Sequence, residues 1–128
     1  ISECVNNTYD LIALPGGMPG AEHLRDSQEL TEMLKNQQQG GKSYAAICAS
    51  PAVVLKHHGL LAERKATAYP GFAEKLENTE DIDSRVVVDN NCITSRGPGT
   101  AMEFALKLAE ILYGEQKAKE VAQSMLVN

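Results

Sequence analysis

Short apolar runs stopped by proline and glycine alternate along this chain with stretches of helical period. Residues 9–14, Tyr-Asp-Leu-Ile-Ala-Leu, run into Pro15-Gly16-Gly17, which predicts a buried strand closed by a turn. A helix follows: Leu30, Met33 and Leu34 fall at i, i+3 and i+4, and Asp26 with Glu29 offers a capping pair at its start. Residues 43–47 predict a second strand. Pro51 then opens another helix, with Ser50 as its N-cap and Gly59 as its stop. Residues 65–69 predict a third strand. Val86-Val87-Val88 and Cys92-Ile93-Thr94 flank Asn90-Asn91 as the arms of a β-hairpin. Thr100 and Glu103 form a capping box ahead of Phe104, Leu108, Ile111 and Leu112, and a last helix carries Ala118, Val121, Ala122 and Met125. Strand, helix, strand, helix in this order predicts an α/β layered fold with a mostly parallel sheet.

Composition narrows the functional classes. With 128 residues the chain fits one domain, and 43% hydrophobic against 23% charged residues is a globular balance. Lys plus Arg number 12 and Asp plus Glu 17, so the net charge of −5 disfavours nucleic acid and anionic membrane surfaces as partners. No apolar run approaches the length needed to cross a bilayer. The three cysteines, Cys4, Cys48 and Cys92, are widely spaced with no CxxC pair, unlike a disulfide scaffold or a zinc site. The expectation is free thiols, no metal, and a reducing compartment such as the cytoplasm. The chain opens at Ile1 with no signal-peptide pattern, and a strand follows almost at once, as in a sequence cut or truncated at its N-terminus.

The chemistry concentrates at Ala45-Ala46-Ile47-Cys48-Ala49-Ser50-Pro51. An apolar strand, a Cys between small residues and a helix opened by Pro have the layout of a nucleophile elbow. The sharp turn tolerates only small neighbours and lifts the side chain out at the carboxyl end of the sheet, where open α/β folds bind ligands. It also aims the thiol at the helix N-terminus, which favours the thiolate. Leu14-Pro15-Gly16-Gly17 ends a strand that reaches the same crevice if the two strands are neighbours. The N–H groups of Gly16 or Gly17, with that of Ala49, could then form an oxyanion hole. The loop Arg96-Gly97-Pro98-Gly99-Thr100 lacks the Walker lysine and the GxGxxG spacing, so it is no phosphate cradle. His57 and His58 read as residues of a helix C-terminus, His23 has no evident partner, and Cys4 and Cys92 read as edge or packing thiols.

Taken together, Leu14-Pro15-Gly16-Gly17, the segment 45–51, and Thr94-Ser95-Arg96-Gly97-Pro98-Gly99-Thr100 followed by Glu103-Phe104 resemble the ThiJ/PfpI superfamily, nearest its parkinsonism-associated protein deglycase branch. The resemblance covers residues 9–127. It implies a flavodoxin-like sandwich, assembled as a homodimer, with Cys48 as the reactive cysteine. It also implies cofactor-independent glyoxalase and protein deglycase activity on methylglyoxal or glyoxal-type aldehydes, together with an oxidative-stress or chaperone role in which the cysteine becomes a sulfinate. Two departures from the family pattern stand out. Tyr69 occupies the position where many members carry a His, which removes the second member of a Cys–His dyad and leaves Tyr69 as a substrate-binding residue. The family's acidic partner, a Glu at the end of its first strand, lies in an N-terminal segment that this sequence lacks. The expectation is therefore the C-terminal two-thirds of a ThiJ/PfpI-type domain, with the N-terminal strands absent and the Glu supplied by an associated N-terminal segment. The competing expectation is a redox-sensing cysteine protein or redox-regulated chaperone without significant turnover.

Overall fold

A computed structural model describes residues 1–127. Its sheet has four strands, β1 (Leu11–Leu14), β2 (Ser43–Ile47), β3 (Val86–Asp89) and β4 (Cys92–Ser95), in the order β1-β2-β4-β3. β1, β2 and β4 run parallel, in register from Leu11↔Ser43 to Leu14↔Ala46 and from Tyr44↔Cys92 to Ile47↔Ser95. β3 returns antiparallel to β4 through the predicted Asn90-Asn91 turn, where Asn90 takes a φ of +54°. The expected mostly parallel α/β sheet is what forms.

Helices α1 (Gly20–Asp26), α2 (Gln28–Gln39), α3 (Ala101–Tyr113) and α4 (Glu115–Ser124) complete the fold, with a π-helical segment at Pro51–Lys56. The pleat of β2 explains the core. Tyr44 and Ala46 point to one face and join Leu14, Leu34, Val54, Leu55 and Leu60; Ala45 and Ile47 point to the other, against Ile93 and Phe104. Both faces are covered, so β2 reads as an unbroken apolar run instead of an alternating one. Leu34 has no exposed surface, and truncating it to Ala would cost about 2–5 kcal/mol. Phe104 and Leu108 anchor α3 one turn apart, while Ile111, Leu112 and Tyr113 at its far end stay exposed.

Three local expectations need correction. Residues 65–69 form no strand, because their N–H groups go elsewhere than to a ladder: Lys65 N–H donates to Asp89 Oδ2 at 2.8 Å, Thr67 N–H to Thr94 Oγ1 at 3.0 Å and Tyr69 N–H to Cys48 O at 2.8 Å. The cap of α2 is Ser27, whose Oγ accepts from Leu30 N–H, whereas Asp26 is drawn into an ion pair with Arg25. Thr100 and Glu103 make no capping box: Thr100 Oγ1 accepts from the N–H groups of Arg96 and Gly97, and Glu103 pairs with Arg85 at 2.7 Å. No helix among the described residues is long and apolar enough to cross a membrane. β1 is an edge of the sheet. Leu11 to Pro15 along it, with Leu24, Leu30 and Met33, line an apolar groove of about 350 Å³.

Candidate active site around Cys48

Cys48 follows the last residue of β2 and has a φ of +67°, in the left-handed region that side chains other than glycine seldom enter. Such a conformation costs on the order of 1–3 kcal/mol and persists only where the surroundings over-determine it. Here both backbone groups of the residue are held. Its N–H donates to Ser95 O at 3.1 Å, and its carbonyl accepts from Tyr69 N–H at 2.8 Å. One tie comes from the end of β4 and the other from Tyr69, directly after the buried residues 66–68, so the strand end and the corrected loop together hold the elbow. The side chain emerges half-buried, next to Ala49, which is itself buried.

The turn after β1 packs directly on this residue. A Cβ placed on Gly16 would lie 2.5 Å from Cys48 Cβ, 3.0 Å from Ile47 O and 3.2 Å from Cys48 Sγ, so no side chain fits there. Gly17 is glycine for a different reason. Space around it is open, but its φ of +85° strains any residue with a Cβ. The ends of β1 and β2 therefore meet as expected. Among the described residues, no protein acceptor takes the N–H groups of Gly16, Gly17 or Ala49. These three N–H groups are left without a protein partner at the two strand ends that meet at Cys48.

Tyr69 contributes more than its backbone N–H. Its ring lies against Gly97, where a Cβ would come within 3.2 Å of Cδ2, and it borders a cavity of about 310 Å³ with Arg85, Arg96 and the 97–100 loop. The guanidinium groups there are committed to structure. Arg96 Nε donates to Ala68 O at 3.3 Å, and Arg85 Nη2 donates to Gly99 O at 2.6 Å while its Nε pairs with Glu103. With the N–H groups of Arg96 and Gly97 taken by Thr100, the loop braces the site and is not an anion cradle.

The remaining candidates lie elsewhere. His58 Nε2 donates to Arg25 O at 2.7 Å and also approaches Thr31 Oγ1 at 3.2 Å, which ties the residues after the π-helical segment to α1 and α2. His23 sits in the last turn of α1. Cys4 is exposed beside the groove on β1. Cys92 is fully buried, and burial pushes its thiol up to about 12, so it stays protonated at neutral pH.

Ser50 was expected to cap the helix and does not. It has no exposed surface, makes no side-chain cap, and donates instead to Pro15 O at 2.5 Å. Nothing in the linear pattern signals that contact, since its acceptor lies 35 positions away on another strand end.

The DJ-1/PfpI family pattern matches residues 1–111. Among curated proteins, the chain is 50% identical over 127 residues to Protein DJ-1 homolog B of Arabidopsis thaliana, covering 99% of this chain and 29% of that protein. It is 39% identical over 126 residues to the glutathione-independent glyoxalase DJR-1.2 of Caenorhabditis elegans, covering 98% of this chain and 67% of that one. The solved structure of oxidized DJ-1 from Toxoplasma gondii superposes with a TM-score of 0.93 at 54% identity, over 98% of this chain and 68% of that chain. The chain thus spans under a third of the Arabidopsis protein and about two-thirds of the other two.

Proposed function

This chain belongs to the DJ-1/PfpI family, and from that premise we propose that it converts small α-oxoaldehydes such as methylglyoxal to hydroxy acids without a cofactor, with Cys48 as nucleophile. The supporting observation is the strained, half-buried Cys48 at a strand end packed on Gly16, with the N–H groups of Gly16, Gly17 and Ala49 left unpaired in the two adjoining turns. The similarity to a protein named as a glutathione-independent glyoxalase points the same way.

The Cys48 thiolate adds to the aldehyde carbon, and the carbonyl π electrons move to oxygen, held by the N–H groups of Gly17 and Ala49 with that of Gly16 alongside. A base removes the hydrogen on that carbon and returns a proton to the adjacent ketone carbon, while the proton released by the Cys48 thiol ends on the ketone oxygen. The first carbon is oxidised to a thioester as the second is reduced to an alcohol. Water then cleaves the thioester, releasing lactate and restoring the thiol. The sum is methylglyoxal plus water to lactate, balanced without an external oxidant or reductant. Tyr69, whose backbone N–H holds the Cys48 carbonyl, is the substrate-binding side chain of this proposal.

The base in this scheme is the family's Glu, supplied by an associated N-terminal segment; the edge of β1, with the apolar groove that Ile1 and Cys4 also line, offers it a surface. Assembly as a homodimer and protein deglycation belong to the same proposal. The deciding experiment measures lactate formed from methylglyoxal by the protein beside Cys48→Ser. Cysteine-dependent lactate is expected; equal rates in both would overturn the scheme.

One observation favours a second reading, a redox-sensing cysteine. Of the two thiols carried by the sheet and its ends, only Cys48 is open to solvent, so peroxide would convert it toward the sulfinate ahead of Cys92.

A further inference from the structure

The reaction proposed above leaves one buried polar residue of the elbow without a part. Ser50 is fully buried, two residues after the nucleophile, and its hydroxyl is aimed away from the helix it opens. Its Oγ donates to Pro15 O across a distance of 2.5 Å. The register of β1 with β2 stops at Leu14↔Ala46. Beyond that pair the chain diverges into the 15–17 turn on one side and the 47–49 elbow on the other, and the Ser50 hydroxyl spans the gap between them.

The Pro15 carbonyl and the Gly16 N–H belong to a single planar peptide unit. Anchoring the oxygen therefore restrains the orientation of the N–H. The same contact holds Gly16 where a single added carbon would overlap Cys48. On the other side of the gap, Ser50 is the direct neighbour of Ala49, the remaining donor. One buried hydroxyl thus sets the spacing between the two halves of the donor set.

We infer that Ser50 is a positioning residue: its hydroxyl clamps the 15–17 turn to the elbow, and so keeps the turn's N–H groups at the separation from Ala49 N–H that an oxygen on a Cys48 adduct requires. It touches neither substrate nor thiol. The inference rests on the proposed reaction at Cys48, and its consequence is specific to steps that develop charge on that oxygen. A misplacement of about 1 Å in such a donor set is worth up to about 100-fold in rate.

The test uses the full-length protein as its source makes it, and follows two readouts. One is lactate formation from methylglyoxal, resolved into kcat and KM. The other is alkylation of Cys48 by iodoacetamide, which uses the same thiolate but builds no oxyanion. Ser50→Ala is expected to lower kcat by about 10- to 100-fold with KM and alkylation within about twofold of wild type. Ser50→Thr and Ser50→Val carry side chains of matched shape that differ in the hydroxyl, so comparing them cancels any packing penalty. The Thr variant should turn over at least about tenfold faster than the Val variant, with equal alkylation rates.

Unchanged kcat in Ser50→Ala, or equal kcat in the Thr and Val variants, would overturn the inference. A parallel fall of alkylation and turnover would also overturn it, since the hydroxyl would then merely support the elbow. Failure of the underlying reaction is seen separately: wild type would give no Cys48-dependent lactate, and both proposals would fall before any Ser50 variant is compared.

Discussion

Two thiols belong to neighbouring strands of the sheet, at opposite ends and in opposite surroundings. Cys92 begins β4 and pairs in register with Tyr44 at the start of β2, whereas Cys48 follows the end of β2 beside Ser95 at the end of β4. Cys92 has an ordinary strand backbone, no exposed surface, and a thiol that burial and its surroundings keep protonated. Cys48 is held at a positive φ by two backbone ties and is half-open to solvent. Side-chain identity is the same in both cases. What differs is the strand end: the carboxyl ends of parallel strands open into loops, and there a turn can hold a thiol against unpaired N–H groups.

The largest expected effect separates the two thiols by activity. Cys48→Ala should lower lactate formation by on the order of 1,000-fold or more, because the covalent step disappears. Cys92→Val, which replaces a buried small group by one of similar shape, should leave the rate within about threefold. A strong loss in the Cys92 variant without unfolding would erase the distinction drawn here.

The same contrast can be sharpened inside the Pro-Gly-Gly turn. Gly16→Ala places a methyl at 2.5 Å from Cys48 Cβ, so one of the two must move. The expected cost is about 1–3 kcal/mol of stability from overpacking and up to about 100-fold in turnover from the displaced thiol. Gly17→Ala meets no neighbour, and only its φ of +85° opposes it, at about 1–2 kcal/mol with a smaller loss of rate. Denaturant midpoints and kcat for the two variants check this. A larger rate loss in the Gly17 variant would mean that the turn acts through its backbone shape and not through contact with Cys48.

Much of this site could be read from the sequence because it is local. Cys48 ahead of Ala49 and Ser50, and Gly16 with Gly17 after Pro15, declare tight turns through the size of the residues that follow, and the parallel sheet follows from the alternation of short apolar runs with helical periods. Features that depend on partners distant in the chain stayed hidden. Ser50, Thr100 and Glu103 have the spacing of capping residues, yet their side chains are drawn to Pro15, to the Arg96-Gly97 backbone and to Arg85. A capping residue is signalled by its neighbours, but a competing acceptor brought near by the fold is not. Residues 65–69 failed as a strand for a related reason: their N–H groups are taken by Asp89, Thr94 and the Cys48 carbonyl, acceptors brought near by the fold.

Oxidation offers a milder way to test the comparison. Limiting peroxide followed by mass spectrometry should place sulfinate on Cys48 while Cys92 stays reduced, with at least about a tenfold difference in occupancy, because oxidation follows exposure and thiolate character. Oxidation of Cys92 or the exposed Cys4 ahead of Cys48 would remove the residue on which the redox reading depends.

The smallest effect is one of stability against pH, and it belongs to the buried thiol. Burial raises Cys92 from an ordinary 9.0 to about 12, and Tyr44 beside it from 10.0 to about 12. In the unfolded chain both groups release their protons near the ordinary values, while in the folded protein they hold them about two to three units longer. Between those limits the unfolded state binds fewer protons than the folded one, so stability must fall as pH rises. The contribution is fully present below pH 9 and is lost as pH approaches about 12. Urea midpoints measured from pH 8 to 11 should therefore decline in wild type and decline less steeply in Cys92→Val, where only the Tyr44 share remains. Identical slopes would show that the proton on Cys92 adds nothing to alkaline stability, and that its burial is a matter of packing alone.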